Sequence, residues 1–294
     1  MHEILIISGK GGTGKTSLTA AFAHLSQNAV LCDLDVDAPD LHLVLSPQSS
    51  PKTPFVSGGV AQIVPDKCQA CGVCKEMCRF QAVFNNNSDF SVDPLRCEGC
   101  YVCVHFCPHE AIAFIPNECG YWRISETRFG SLVHAQLYPG EENSGKLVAL
   151  LRNEAKQLAR SKGAEILLSD GPPGIGCPVI SALSGIDLVI IVTEPTPSGT
   201  HDLQRVVELC EHFRLPMGVI INKKDLNLRM EEKIKTFCDS KAIPILAQIP
   251  HSEDFVHAMV SGLSITEYTQ TPLTEQLRKA WKEICKLAQN KITA

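Results

Sequence analysis

The stretch "EILIISGKGGTGKTSLTAAF" constrains this chain more than any other, because an apolar run, a glycine-rich loop and a helical pattern follow one another without a gap. Gly9 to Thr16 fit G-x-x-x-x-G-K-[ST] without a mismatch. In that pattern the loop and the helix N-terminus aim backbone N–H groups at phosphates, Lys15 reaches the β and γ phosphates, and the Thr16 hydroxyl takes Mg2+. A merely flexible glycine-rich turn would need neither this spacing nor a strand before it and a helix after it. The segment therefore predicts a buried parallel strand feeding a helix, the opening of a β–α–β unit.

Further short apolar runs read as buried strands: "AVLCDL" (29–34), "EILLSD" (165–170), "DLVIIVTE" (187–194), "MGVIIN" (217–222) and "IPILAQI" (243–249). Helical segments lie between them, including the amphipathic "SGKLVALLRNEAKQLARSKG". Strands alternating with helices imply an α/β fold with a doubly wound, mainly parallel sheet. The alternation breaks at "SPQSSPKTPFVSGG" and is lost from about Gly58 to Ala135. The expected organisation is a host domain of residues 1–57 and 136–294 carrying a small inserted domain, 58–135.

The insert holds eight of the fourteen cysteines, as two copies of C-x2-C-x2-C-x3-C. A shift of 29 residues maps Cys68, Cys71, Cys74 and Cys78 onto Cys97, Cys100, Cys103 and Cys107, and Ala82-Val83 onto Ala111-Ile112. Because the N-terminus shows no export signal, clustered cysteines point to metal rather than disulfides, and the chain is expected in the cytoplasm. Four thiolates can also hold zinc. A zinc module usually separates two C-x2-C knuckles by a longer loop, whereas three cysteines at i, i+3 and i+6 suit the corner of an iron–sulfur cubane.

Lys10 adds to the phosphate motif a second lysine that an ordinary cradle does not require. "KGGTGKT" resembles the deviant Walker A loop of the MinD, ParA and Mrp group of ATPases, to which the nitrogenase iron protein also belongs. The resemblance implies that Lys10 crosses a dimer interface to the partner's nucleotide, so that ATP binding drives homodimer formation. It implies nucleotide contact across Gly9, Lys10, Gly11, Gly12, Thr13, Gly14, Lys15, Thr16 and Ser17, with ATP or ADP and Mg2+ as ligands. Within "CDLDVDAPDLH", Asp35 matches the position that orients the attacking water or the Mg2+ shell, giving Lys10, Lys15 and Asp35 as the catalytic set. "LLSDGPPGIG" places Asp170 at a strand end, where with Thr16 and Asp35 it would hold Mg2+. The likeness also implies adenine contact from Asn222 and Pro250, although "INKKD" formally matches the N-K-x-D that reads guanine in GTP-binding proteins.

The paired cysteine runs resemble a bacterial two-cluster ferredoxin, so the insert is expected to be a small α+β domain of that kind. In that family the fourth cysteine of each run serves the other cluster. Carried over, Cys68, Cys71, Cys74 and Cys107 hold one [4Fe-4S] cluster, and Cys78, Cys97, Cys100 and Cys103 hold the second. Only the second run has the usual proline after its last cysteine, Pro108; the first has Arg79.

A formal charge of −5 gives no footprint for nucleic acid, and no run approaches the ~18 apolar residues of a membrane span. Neither nucleic-acid binding nor stable membrane insertion is expected. The closing "LTEQLRKAWKEICKLAQNK" places Leu273, Leu277, Trp281, Ile284 and Ala288 on one helical face. That stripe suits packing on the body, or a membrane-touching helix of the MinD type. The functions implied are an ATP-gated electron carrier serving a redox partner, a scaffold that hands clusters to a receiving protein with Cys177 or Cys119 as extra thiols, or a positioning ATPase with a ferredoxin sensor.

Overall fold

The first apolar run forms β1 (His2–Ser8), in which Ile4 to Ile7 have no exposed surface. A strand buried on both faces needs helices above and below, which is why its run is continuous rather than alternating. The computed structural model describes residues 1–86, 89–141 and 144–289. After β1 come α1 (Lys15–Leu25), β2 (Ala29–Asp33), α2 (Leu41–Leu45), β3 (Thr53–Ile63), α3 (Val73–Met77), β4 (Val83–Asn86), β5 (Asp89–Val92), α4 (Val102–His105) and β6 (Ile112–Thr127). β7 (Gly130–Leu137), α5 (Ser144–Lys162), β8 (Ile166–Pro173), α6 (Cys177–Leu183), β9 (Leu188–Thr193), α7 (Pro197–His212) and β10 (Met217–Ile221) follow. α8 (Leu228–Ser240), β11 (Ile245–Gln248), α9 (Asp254–Val260), α10 (Ile265–Tyr268) and α11 (Pro272–Gln289) close the chain's described part.

The chain divides into two units. The first comprises Met1–Thr53, Trp122–Leu137 and the chain from Ser144 onward; the second comprises Pro54–Tyr121 and the stretch that begins at Tyr138. In the first unit the strands run in the order β11-β10-β9-β1-β8-β2-β7, each neighbouring pair parallel. The connections change direction on either side of β1, a switch point that opens a crevice at the carboxyl ends of the strands. Ile4 and Ile6 pack with Leu18 and Phe22 of α1 and with Leu277, Trp281 and Ile284 of α11. The rings of Phe22 and Trp281 stack 5.3 Å apart. Leu5 and Ile7 point the other way, to the layer of α5, α6 and α7. The apolar stripe of α11 is thus a packing stripe, and no helix among the described residues is long and apolar enough to cross a membrane.

Residues 122–137 correct the sequence-based boundary of the insert. They belong to the first unit, because β7 pairs in parallel with β2 at Leu31–Leu132 and Cys32–Val133. "GSLVHAQL" escapes a hydropathy reading because Ser131 and His134 are polar residues at buried positions. Both are satisfied locally: Ser131 Oγ donates to Glu126 Oε1 at 2.9 Å, and His134 Nε2 is 2.9 Å from Ser125 Oγ.

In the second unit the 29-residue repeat reappears in the backbone. Ala70 and Gly99, Gly72 and Tyr101, and Gln81 and Glu110 all have positive φ, between 48° and 80°. Ala70, Gln81, Tyr101 and Glu110 adopt this region without being glycine, a strain that persists only where the surroundings enforce it. The Ala82 and Ala111 amides donate to Cys78 and Cys107 Sγ, each at 3.3 Å. Repeated sequence therefore produces repeated turns around the cysteines.

Burial, with Arg123 and His42 alongside, pushes the His134 pKa down from 6.5 to about 4. The unfolded chain accepts a proton below pH 6.5 that the folded chain refuses, so stability present above pH 6.5 should fall as the pH drops towards 4. Over that window the loss is on the order of 3 kcal/mol. Urea titrations at stepped pH should show this slope in the native protein and a flatter one in His134→Gln; identical slopes would remove His134 as the cause.

Candidate functional site

Helix α1 begins where Gly14, at φ 91°, turns the chain in a way that a side chain would oppose. A Cβ at Gly14 would also strike the Asn222 amide. The first-turn amides of α1 have no partners within the helix, so its N-terminus presents donors to an anion. They face a cavity of about 660 Å3 lined by Gly11, Gly12, Thr13, Gly14, Lys15, Thr16 and Ser17. Asp35, Asp37, Asp40, Pro172 and Met259 line its other sides. Thr13 Oγ1 is buried there without a hydrogen-bond partner, which fits a site built for a ligand with many acceptor oxygens.

Asp170 collects the polar groups of this crevice. Its Oδ2 accepts from Thr16 Oγ1 at 2.6 Å, and its Oδ1 accepts from Thr19 Oγ1 at 2.9 Å and pairs with Lys15 Nζ at 3.1 Å. Lys15 Nζ also lies 3.5 Å from Asp35 Oδ2. Asp33, in register beside Asp170, accepts from the N–H groups of Asp35 at 3.1 Å and Leu41 at 3.2 Å. Burial pulls the Lys15 pKa down, but the charges of Asp170, Asp35 and Asp33 outweigh it and hold the ammonium above its ordinary value. Burial pushes Asp33 well up, helped by the charge of Asp170, and burial likewise raises Asp35. Asp35 and Asp170 flank the Lys15 ammonium beside the Thr16 hydroxyl, and carboxylate and hydroxyl oxygens are the ligand chemistry that Mg2+ takes.

In the second unit the structure brings the cysteines together in two groups. Cys68, Cys71, Cys74 and Cys107 line one cavity, with Phe90 and Ile112. Cys78, Cys97, Cys100 and Cys103 line another, with Phe80, Tyr101 and Phe114. The Ala61 amide adds a contact to Cys97 Sγ at 3.5 Å. Burial raises the Cys74 and Cys103 thiols, and neighbouring cysteines add to the shift. Among the described residues no three His, Cys, Asp or Glu side chains stand close enough to hold a single metal ion. Of the remaining thiols, Cys177 is exposed at the first residue of α6, whereas Cys119 is buried and donates to the Ser57 carbonyl at 2.9 Å.

Residues 4–265 match the CobQ/CobB/MinD/ParA nucleotide-binding domain family. The chain belongs to that family. An uncharacterized protein of Methanocaldococcus jannaschii is 37% identical over 229 residues, 76% of this chain and 79% of that one. An iron-sulfur cluster carrier protein of Rickettsia typhi is 24% identical over 93% of this chain and 69% of its own length. Among solved structures, MinD of Pyrococcus horikoshii complexed with Mg-ADP superposes with a TM-score of 0.59 at 18% identity, covering 100% of this chain and 99% of that one. It shares the fold.

Other residues marked out in the sequence as nucleotide contacts of this family member do not line the cavity. Gly9 lies against Asp202 of α7. Asn222 is buried and donates from Nδ2 to the Thr13 carbonyl at 2.8 Å, which braces the loop from behind. Pro250 precedes His251, whose N–H donates to Asp225 Oδ1 at 2.7 Å. Lys10 Nζ sits 2.6 Å from Glu194 Oε1 and reaches Ser198 Oγ at 3.1 Å and Thr196 Oγ1 at 3.2 Å. Sequence reasoning missed Glu194, although the signal is there: it ends the apolar run of β9 as Asp33 ends that of β2.

Gly14→Ala tests the loop. Positive φ and the collision with Asn222 should together cost about 1–3 kcal/mol in thermal or urea unfolding without nucleotide. Native stability in that variant would mean that the loop does not depend on this turn.

Proposed function

We propose that the chain is an ATP-hydrolysing iron–sulfur protein in which nucleotide-driven pairing of two copies governs two [4Fe-4S] clusters that pass electrons to a partner protein. The observation that carries this reading is the pair of four-cysteine cavities in a chain that also has the phosphate crevice. The ferredoxin-like grouping explains why the fourth thiol around each cavity comes from the other run. A lone zinc site would leave unexplained the repeated turns and the paired N–H···S contacts at Ala82 and Ala111.

In this reading the loop amides and Lys15 hold the phosphates, Thr16, Asp35 and Asp170 hold Mg2+, and Asp35 orients the attacking water. Held there, Mg2+ would supply positive charge that offsets the phosphates and the carboxylates. Lys10 reaches the nucleotide of the second copy, while Asn222 and Pro250 shape the adenine side. Each cluster would supply a one-electron store. The amides of Ala61, Ala82 and Ala111 partly offset the thiolate charge at Cys97, Cys78 and Cys107.

The apolar core of the small unit supports the same reading. It is built from Ala61, Cys74, Val83 and Ile112, with Cys78, Cys97, Cys103 and Cys107 packed against them. Ile63, Phe90, Val92 and Val104 pack there too, so the cysteines are built into the small unit's core rather than hung from its surface. A second reading, a carrier that hands clusters to other proteins, is favoured by the Rickettsia typhi relative and by the exposed Cys177.

Anaerobically purified protein should contain about eight iron atoms. Its reduction potential should shift by about 60 mV or more, near 1.4 kcal/mol for one electron, between ADP and a non-hydrolysable ATP analogue. Cys107→Ser and Cys74→Ser should each leave about four iron atoms with the same residual spectrum. A constant potential would sink the coupling, and different residual spectra would sink the shared ligand set.

A further inference from the structure

Lys10 is fully occupied inside its own chain. An ammonium has three donors, and here Glu194 Oε1, Ser198 Oγ and Thr196 Oγ1 provide three acceptors at 2.6, 3.1 and 3.2 Å. The three acceptors lie together at the junction of β9 and α7, and the fold brings Lys10 to them from the far end of the sequence. Glu194 follows the last residue of β9, Thr196 is the N-cap of α7, and Ser198 lies in that helix's first turn. The second oxygen of Glu194 pairs with Lys223 Nζ at 3.0 Å, and Lys223 Nζ also donates to the Gly12 carbonyl at 2.9 Å. One buried carboxylate thus fastens the phosphate loop near its start, through Lys10, and at its middle, through Lys223. Lys223 accepts a left-handed backbone, φ 52°, to make this connection.

We propose that Glu194, with Thr196 and Ser198, is a holding site that keeps Lys10 on its own chain until nucleotide draws it away. Glu194 is a positioning residue here: it touches Lys10, not phosphate. Its carboxylate competes with phosphate oxygens for one ammonium, so pairing of two copies through Lys10 must break an existing ion pair first. The inference rests on the reading that Lys10 serves a second copy's nucleotide. It adds that the chain resists that exchange by design of β9 and α7.

The experiment measures acylation of Lys10 by limiting acetic anhydride, followed by peptide mass spectrometry, alongside ATP-dependent dimerisation by light scattering. Without nucleotide, Lys10 should acylate about tenfold faster in Glu194→Gln than in the native chain, and about threefold faster in Ser198→Ala, where the exposed hydroxyl alone is lost. The midpoint ATP concentration for dimerisation should fall several-fold in Glu194→Gln. Equal acylation in all three proteins overturns the holding site, as does faster acylation with an unmoved midpoint. If no protein dimerises at saturating ATP, the cross-chain role of Lys10 falls, and the acylation rates alone decide whether Glu194 holds it. If Glu194→Gln does not fold, Ser198→Ala decides by the same two readouts.

Discussion

The buried contact between Lys15 and Asp170 is the constraint on which the nucleotide unit is built. Lys15 is the first residue of α1 and Asp170 lies within β8, so their 3.1 Å pair joins the helix to the sheet. Thr16 and Thr19, on the same helix, donate to the same carboxylate, and the Asp170 carbonyl accepts the Leu34 amide beyond β2. Burying an ion is expensive unless each of its bonds is met, and here the meeting groups are also those that face the ligand. Fold and site therefore share one set of interactions. The excess of carboxylate over ammonium also ranks the ligands. A bare polyphosphate would bring anion against anion, which a ligand carrying its own cation would relieve.

The second unit solves a different problem. Its cysteines do double duty, lining the two cavities and forming much of the core with Ala61, Val83 and Ile112. Ile63, Val92 and Val104 pack against the same residues, so the cysteine positions and the apolar packing fix one another. The left-handed residues at equivalent positions of the repeat belong to that arrangement. Turns at Ala70 and Gly99, or at Gln81 and Glu110, set the directions of neighbouring thiols, and the backbone accepts strain to keep them.

How far the sequence revealed this depended on whether a feature was local. β1, β2 and β8 to β10 were legible because strands buried on both faces write continuous apolar runs, and the 29-residue repeat was legible because it repeats cysteine spacing. β7 was not, since Ser131 and His134 occupy buried positions by bonding to Glu126 and Ser125, and nothing in the strand's own hydropathy announces those partners. The grip on Lys10 was hidden for a related reason. Lys10 and Glu194 are 184 positions apart, and only the parallel pairing of β1 with β9 brings the two strand ends side by side. A motif names the residues a loop needs; what they touch is set by the sheet order.

The same distinction decides how "INKKD" should be read. As a string it matches a guanine-reading motif, yet two of its members are turned towards the loop. Asn222 braces the Thr13 carbonyl and Lys223 the Gly12 carbonyl, both at the end of β10. Asp225, the member that would read guanine, instead accepts the His251 amide through Oδ1 at 2.7 Å. Recognition of a guanine edge takes both oxygens of such a carboxylate, one for each of two N–H groups. Asp225 is engaged by its own chain at Oδ1, and Asn222 and Lys223 work as a clamp on the phosphate loop.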